Sequence, residues 1–97
     1  MPTFARLPTF DRDWARLGPE ERNRFRAAVE RFVADLAAGR RPRNGLRVKP
    51  VAGAPGVFEM TWAPNGRATW QYGEEVRSGE VHVIWRRIGT HDVFDTP

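Results

Sequence analysis

From Phe25 to Leu36 the apolar residues Phe25, Val29, Phe32, Val33 and Leu36 recur at i, i+4, i+7, i+8 and i+11, which lays them on one stripe of an α-helix. Pro19 suits a first helical position, and Glu20 and Glu21 suit a first turn, where the helix dipole favours anions. The helix is therefore expected to run from Pro19 to a stop at Gly39. A shorter helix is predicted upstream, with Thr9 or Asp11 as N-cap and with Phe10, Trp14 and Leu17 at helical spacing until Gly18. Ahead of it, Thr3 to Leu7 is short and mixed, and Pro8 restricts it to an edge strand or an irregular lead-in.

Beyond Gly45 the period changes to two. Leu46 to Val51 reads as a possible strand interrupted by Pro50, and Ala52-Gly53-Ala54-Pro55-Gly56 as a loop. Val57 to Trp62 and Arg67 to Tyr72 flank Ala63-Pro64-Asn65-Gly66, where Asn-Gly is expected to supply the positive-φ residues of a tight hairpin turn. A connection from Gly73 to Glu80 leads to a last strand, Val81 to Ile88. The prediction is an α+β fold: two N-terminal helices packed on one face of a small antiparallel sheet of three to four strands.

Alternation then sorts the sheet's faces, because successive strand residues point to opposite sides. Phe58, Met60, Trp62, Ala68, Trp70 and Tyr72 are assigned to the helix-covered face, leaving Val57, Glu59, Thr61, Arg67, Thr69 and Gln71 outside. In the last strand Ile84 and Ile88 oppose Val83, Trp85 and Arg87, so strict alternation places Trp85 and Arg87 on the open face, with His91 just past Gly89.

Composition sets bounds on this picture. A chain of 97 residues buries roughly 60–65% of the surface it exposes when unfolded, enough for one two-layer core, so residues 1–97 are read as a single domain. The absence of cysteine excludes disulfides, thiolate zinc sites and cysteine nucleophiles, and two histidines argue against a metal centre, so no cofactor is expected. Arg6 and two prolines within the first ten residues predict no secretory signal, and no window approaches ~18 apolar residues, so a cytoplasmic location without membrane contact is expected.

Charge is unevenly spread. Residues 40–72 hold Arg40, Arg41, Arg43, Arg47, Lys49 and Arg67 against Glu59 alone, so this segment carries +5 of a chain whose net charge is +4. Such a cluster attracts a polyanion over about one Debye length, ~8–10 Å in physiological salt. Arg47 and Lys49 are accordingly placed among the substrate contacts. Arginine outnumbers lysine fifteen to one, which a GC-rich genome explains as well as phosphate recognition does.

A carboxylate, two arginines, an imidazole and an indole on one open face suit cleavage of RNA by its own 2′-hydroxyl. A base takes the proton, cations hold the non-bridging oxygens, and an acid protonates the leaving 5′-oxygen. Arg67 and Arg87 are assigned to the scissile phosphate, His91 to the general acid, and Glu59 to the base or the group that orients it. Arg86 is grouped with the substrate contacts, and Trp85 or Phe94 is expected to stack an unpaired base, worth ~1–3 kcal/mol. Plainer readings stand beside these. Arg67 and Glu59 form a cross-strand ion pair, Arg86 is a surface residue, His91 with Asp92 caps a turn, Phe94 closes the core and His82 is structural.

The hairpin Val57-Phe58-Glu59-Met60-Thr61-Trp62 through Arg67-Ala68-Thr69-Trp70-Gln71-Tyr72, together with Arg87-Ile88-Gly89-Thr90-His91-Asp92-Val93-Phe94, resembles the RelE/ParE superfamily of bacterial toxins, above all its YafQ-like and HigB-like branches. The resemblance implies a RelE-like fold, metal-independent cleavage of messenger RNA in the ribosomal A site, and neutralisation by a cognate antitoxin. By the same resemblance Arg67 matches the arginine opening the third strand, Arg87 and His91 match the closing Arg-x-Gly-x-His run, and Phe94 matches the aromatic that follows. The chain departs from the family in offering only Glu59 as a titratable group on the strand Phe58 to Trp62, and ParE-type relatives act on gyrase instead of RNA. The alternative reading is thus a non-catalytic binding protein of the same fold.

Overall fold

The computed structural model describes residues 1–97. In chain order the elements are β1 (Thr3–Arg6), α1 (Pro8–Ala15), α2 (Pro19–Ala37), a 3₁₀ turn (Asn44–Leu46), β2 (Lys49–Pro50), β3 (Val57–Ala63), β4 (Gly66–Tyr72), β5 (His82–Gly89) and a second 3₁₀ turn (His91–Asp95). Both helices begin on a proline, whose missing N–H costs nothing at a helix start. At α2 the Glu21 carboxylate also accepts the Gly18 N–H at 3.0 Å. Neither Thr9 nor Asp11 caps α1. Leu7 precedes Pro8 there without a side-chain cap, and the Thr9 hydroxyl instead donates to the Arg86 carbonyl at 2.8 Å.

The sheet has five strands in the order β1-β5-β4-β3-β2, more than the three to four predicted, and it is mixed, because β1 runs parallel to β5 while the other pairs are antiparallel. The N-terminal lead-in is thus an edge strand, fastened where the Thr3 hydroxyl and His82 Nδ1 lie 2.7 Å apart, which gives His82 its structural role. Past Arg6 the helix α1 takes over the same flank of β5. The Leu7 N–H donates to the Trp85 carbonyl at 2.9 Å, and the Asp13 carboxylate accepts the Ile88 N–H at 3.1 Å.

The hairpin forms, but by a different turn. Its loop is Pro64-Asn65, neither residue has positive φ, and Gly66 already belongs to β4. Proline's φ near −65° is incompatible with the mirror-image turn that Asn-Gly suggested. Gly66 is required for another reason: a Cβ there would sit 2.6 Å from the Trp62 ring, which lies against the glycine beside a register shift between Thr61 and Ala63.

A second irregularity decides the faces of β5. Thr69 pairs with Arg87 but Trp70 pairs with Trp85, so β5 carries one extra residue, a β-bulge that reverses the alternation. Val83 and Trp85 before the bulge and Ile88 after it all enter the core. The predicted open-face position of Trp85 is overturned: it is 4% exposed and its ring lies 5.3 Å from that of Phe25 and 5.6 Å from that of Phe32. Phe10, Phe25, Phe32, Met60, Trp62, Trp70 and Trp85 fill the space between helices and sheet, with aromatic edges on faces at contacts worth ~0.5–1.5 kcal/mol each beyond area burial.

Candidate functional site

The bulge leaves Arg86 and Arg87 as neighbours at the side of the sheet away from the core, opposite Thr69. Arg87 Nε and Nη2 donate to the Asp13 carboxylate at 2.6 and 3.2 Å, a two-point contact between β5 and α1. That hydrogen bond, opposed by partial burial and helped by the attraction of the opposite charge, raises the Arg87 pKa. Its remaining nitrogen, Nη1, donates to the Thr96 carbonyl at 3.0 Å. Arg86 Nε donates to the Pro97 carbonyl at 3.1 Å and its Nη1 to the Gln71 side chain. Thr69, fully buried mid-strand, sends its hydroxyl to the same Pro97 oxygen at 3.0 Å.

The other assigned residues lie nearby in other company. Arg67 pairs in register with Gly89, and its Nη1 curls back to the carbonyls of Ala63, Pro64 and Gly66 at 3.4, 3.3 and 2.9 Å. The cross-strand pair of Arg67 with Glu59 does not form. Glu59 stands opposite Thr69 and Lys49, its side chain 13% exposed, and its carboxylate lies 3.8 Å from the Lys49 Nζ. His91 is exposed on the closing 3₁₀ turn, edge-on to Phe94 with ring centroids 5.6 Å apart, while the buried Val93 beside them anchors the turn. Arg67, Arg87 and His91 share no hydrogen-bond partner. Arg47 is exposed in a left-handed conformation that ends the first 3₁₀ turn.

Residues that the one-dimensional pattern did not single out complete the region. A polar notch of about 210 Å³ is lined by Thr9, Arg12, Asp13, Arg16 and Arg87. Arg12 on α1 and Arg16 at its C-cap stand one turn apart, a repeat visible in the sequence but without meaning until α1 docks beside β5. The basic segment is partly spent on structure. Asp35, 2% exposed, accepts the Arg43 backbone N–H, Nε and Nη2, each at 2.9 Å, and Arg40 Nη2 at 3.3 Å. A larger concavity, about 690 Å³, lies elsewhere, between β1, α1 and α2, lined by Phe4, Phe10, Trp14, Phe25 and Val29 among others.

Two N-terminal helices over a five-stranded mixed sheet make an α+β fold, and it is shared with RelE-like solved structures. Among solved structures the chain is similar to the toxin YafQ of E. coli, with a TM-score of 0.64 at 12% identity over 96% of this chain and 97% of that one. It is equally similar to a chain of the RelB–RelE antitoxin–toxin complex of Methanococcus jannaschii, with a TM-score of 0.64 at 16% identity over 96% and 99% of the two chains. A chain of the E. coli DinJ–YafQ toxin–antitoxin complex gives 0.64 at 11% identity over 95% and 94%. No protein-family profile matches the chain, and no curated protein matches it by sequence. No helix is long and apolar enough to cross a membrane.

Proposed function

We propose that this chain is the toxin of a toxin–antitoxin pair and that it acts in the cytoplasm as a metal-independent endoribonuclease on messenger RNA held by the ribosome. The fold shared with YafQ and RelE chains, two of them in complexes with antitoxins, supports the toxin role and an antitoxin partner. The observation that carries the nuclease reading is the β5 bulge, which sets Arg86 and Arg87 side by side opposite Thr69, one glycine turn away from the exposed His91. Arg87, kept charged by Asp13, holds the scissile phosphate, and Arg67 joins it by leaving the turn carbonyls. His91 protonates the departing 5′-oxygen, and Glu59 takes or orients the removal of the 2′-hydroxyl proton. Arg47, Lys49 and Arg86 contact the RNA backbone, and Phe94 stacks a base.

Induced expression followed by mapping of messenger 5′ ends tests the reading. The native chain is expected to generate new ends within coding regions, and His91→Ala to lower cleavage roughly 10²–10⁴-fold while the fold persists, the usual contribution of a general acid. Unchanged cleavage removes His91 from that role. No new ends, together with salt-sensitive association that survives His91→Ala, would make the chain a non-catalytic binder of gyrase, nucleic acid or a partner protein.

A further inference from the structure

The strand β1 borders the sheet, and its outer side is bare. The Thr3 and Leu7 N–H groups donate inward, to the Val81 and Trp85 carbonyls, so by alternation the N–H and C=O of Phe4 and Arg6 point away from β5. In register with the buried Val83 and Trp85, the Phe4 and Arg6 side chains stand on the helix-covered side, where they line the concavity of about 690 Å³ beside α1 and α2. We infer that a second copy of this chain docks here, β1 against β1 antiparallel, so that the two sheets join edge to edge.

Self-complementarity carries the inference, because a two-fold interface must match itself. Centring the pairing on Ala5 sets Phe4 opposite the second copy's Arg6, in a pair that exchanges both N–H···O bonds, and the symmetry repeats it. Every outward backbone group of Phe4 and Arg6 is then satisfied. Phe4 is 44% exposed beside a hollow walled by Phe10, Trp14, Phe25 and Val29, so one face offers both an apolar side chain and an apolar recess for it. The charges match as well. Arg6 and Arg26 accompany Asp11 and Glu30 around the rim, a neutral set on a chain of net charge +4, so two copies meet there without repulsion while a polyanion gains nothing. Glu30 has no ion-pair partner within its own chain, and Arg6 is held only by Asp11, at 3.1 Å, with both side chains more than half exposed. Across the two-fold, Arg6 of one copy stands alongside Phe4 of the other, at the hollow that Glu30 borders, and supplies the missing cation. Arg86 and Arg87 stay uncovered on the opposite face, so the joined sheet presents both copies' arginine pairs to the same side.

This inference is independent of the nuclease reading, because none of Arg67, Arg87 and His91 lines the hollow. Sedimentation equilibrium of the full chain from about 1 μM to about 1 mM is expected to show a monomer passing to a dimer at roughly 10–100 μM, the weak affinity suited to an interface below ~1,200 Å². Amide hydrogen exchange at the two ends of that range identifies the surface. The Phe4 and Arg6 N–H groups should gain protection severalfold at high concentration, while those of Thr3 and Leu7, already bonded to β5, stay unchanged. Phe4→Glu, which removes the apolar side chain and sets a carboxylate beside Glu30, should weaken the dimer by at least about tenfold, with circular dichroism verifying the fold. Arg6→Glu and Glu30→Arg should each weaken it about fivefold and, combined in one chain, restore it to within about threefold of native, which a loss of folding would not do. A chain that stays monomeric to about 1 mM, a dimer that leaves the Phe4 and Arg6 amides unprotected, or a double variant no better than its parents overturns the inference. So does protection gained only from a protein of another sequence, which would make the hollow that partner's seat.

Discussion

Asp13 joins the two layers at one carboxylate, accepting two Arg87 nitrogens and the Ile88 N–H from the strand beside it. Sequence periodicity gives it no distinction, since it is one polar residue on a short helix. Removing it strands a largely buried guanidinium and a backbone donor at once. Asp13→Ala is therefore expected to cost roughly 2–4 kcal/mol in urea unfolding, below the full penalty of a buried pair because Arg87 keeps some solvent. The same variant should weaken phosphate binding by loosening Arg87. A stability loss under about 0.5 kcal/mol would show that the contact is incidental.

Among the elements, β5 and the hairpin depart most from ideal alternation, and both departures position side chains. The bulge at Arg86 allows two consecutive arginines to leave the core face while Trp85 and Ile88 enter it. In the hairpin, Gly66 lets Trp62 pack over backbone. Gly66→Ala is expected to destabilise by about 1–3 kcal/mol through overpacking against that ring, measurable as a lower urea midpoint at unchanged slope. Helix α1 contributes Arg12 and Arg16 beside Arg87. If the notch follows an RNA backbone, Arg12→Ala and Arg16→Ala should each reduce the salt-dependence slope of RNA association by about 1 while leaving base preference alone. An unchanged slope in both would remove α1 from the interface.

For the whole molecule, Asp35 decides what the positive segment does. The side-chain hydrogen bond from Arg43 first, then the Arg43 backbone N–H, lower its pKa well below the usual carboxylate range; burial opposes this, and Arg40 adds to it. A carboxyl whose folded pKa is depressed contributes stability that is present above its unfolded value and is lost as pH falls through and below that value, near pH 4. Acid unfolding followed by circular dichroism should therefore show the native chain losing stability steeply below about pH 4. Asp35→Asn is expected to be less stable at pH 7 and to have a shallower acid limb. A limb as steep as the native one would mean that other carboxylates control acid unfolding. With Arg40 and Arg43 tied to Asp35 and Lys49 beside Glu59, Arg41 and Arg47 remain as the exposed cations of the segment without an ion-pair partner.

Periodicity, proline and glycine placement, and composition determined the two helices, the β3–β4 hairpin, the last strand and the α+β class, because each of these is encoded by residues near one another in the chain. The arginine pair and the histidine turn were legible as chemistry for the same reason. Only the tertiary structure decided that β1 joins the sheet in parallel, that a bulge sends Trp85 inward, that Asp13 holds Arg87, and that Thr96 and Pro97 lie on Arg86, Arg87 and Thr69. Those outcomes depend on partners 9 to 79 residues apart, and the bulge moves every later side chain of its strand to the opposite face, so no local pattern contains them.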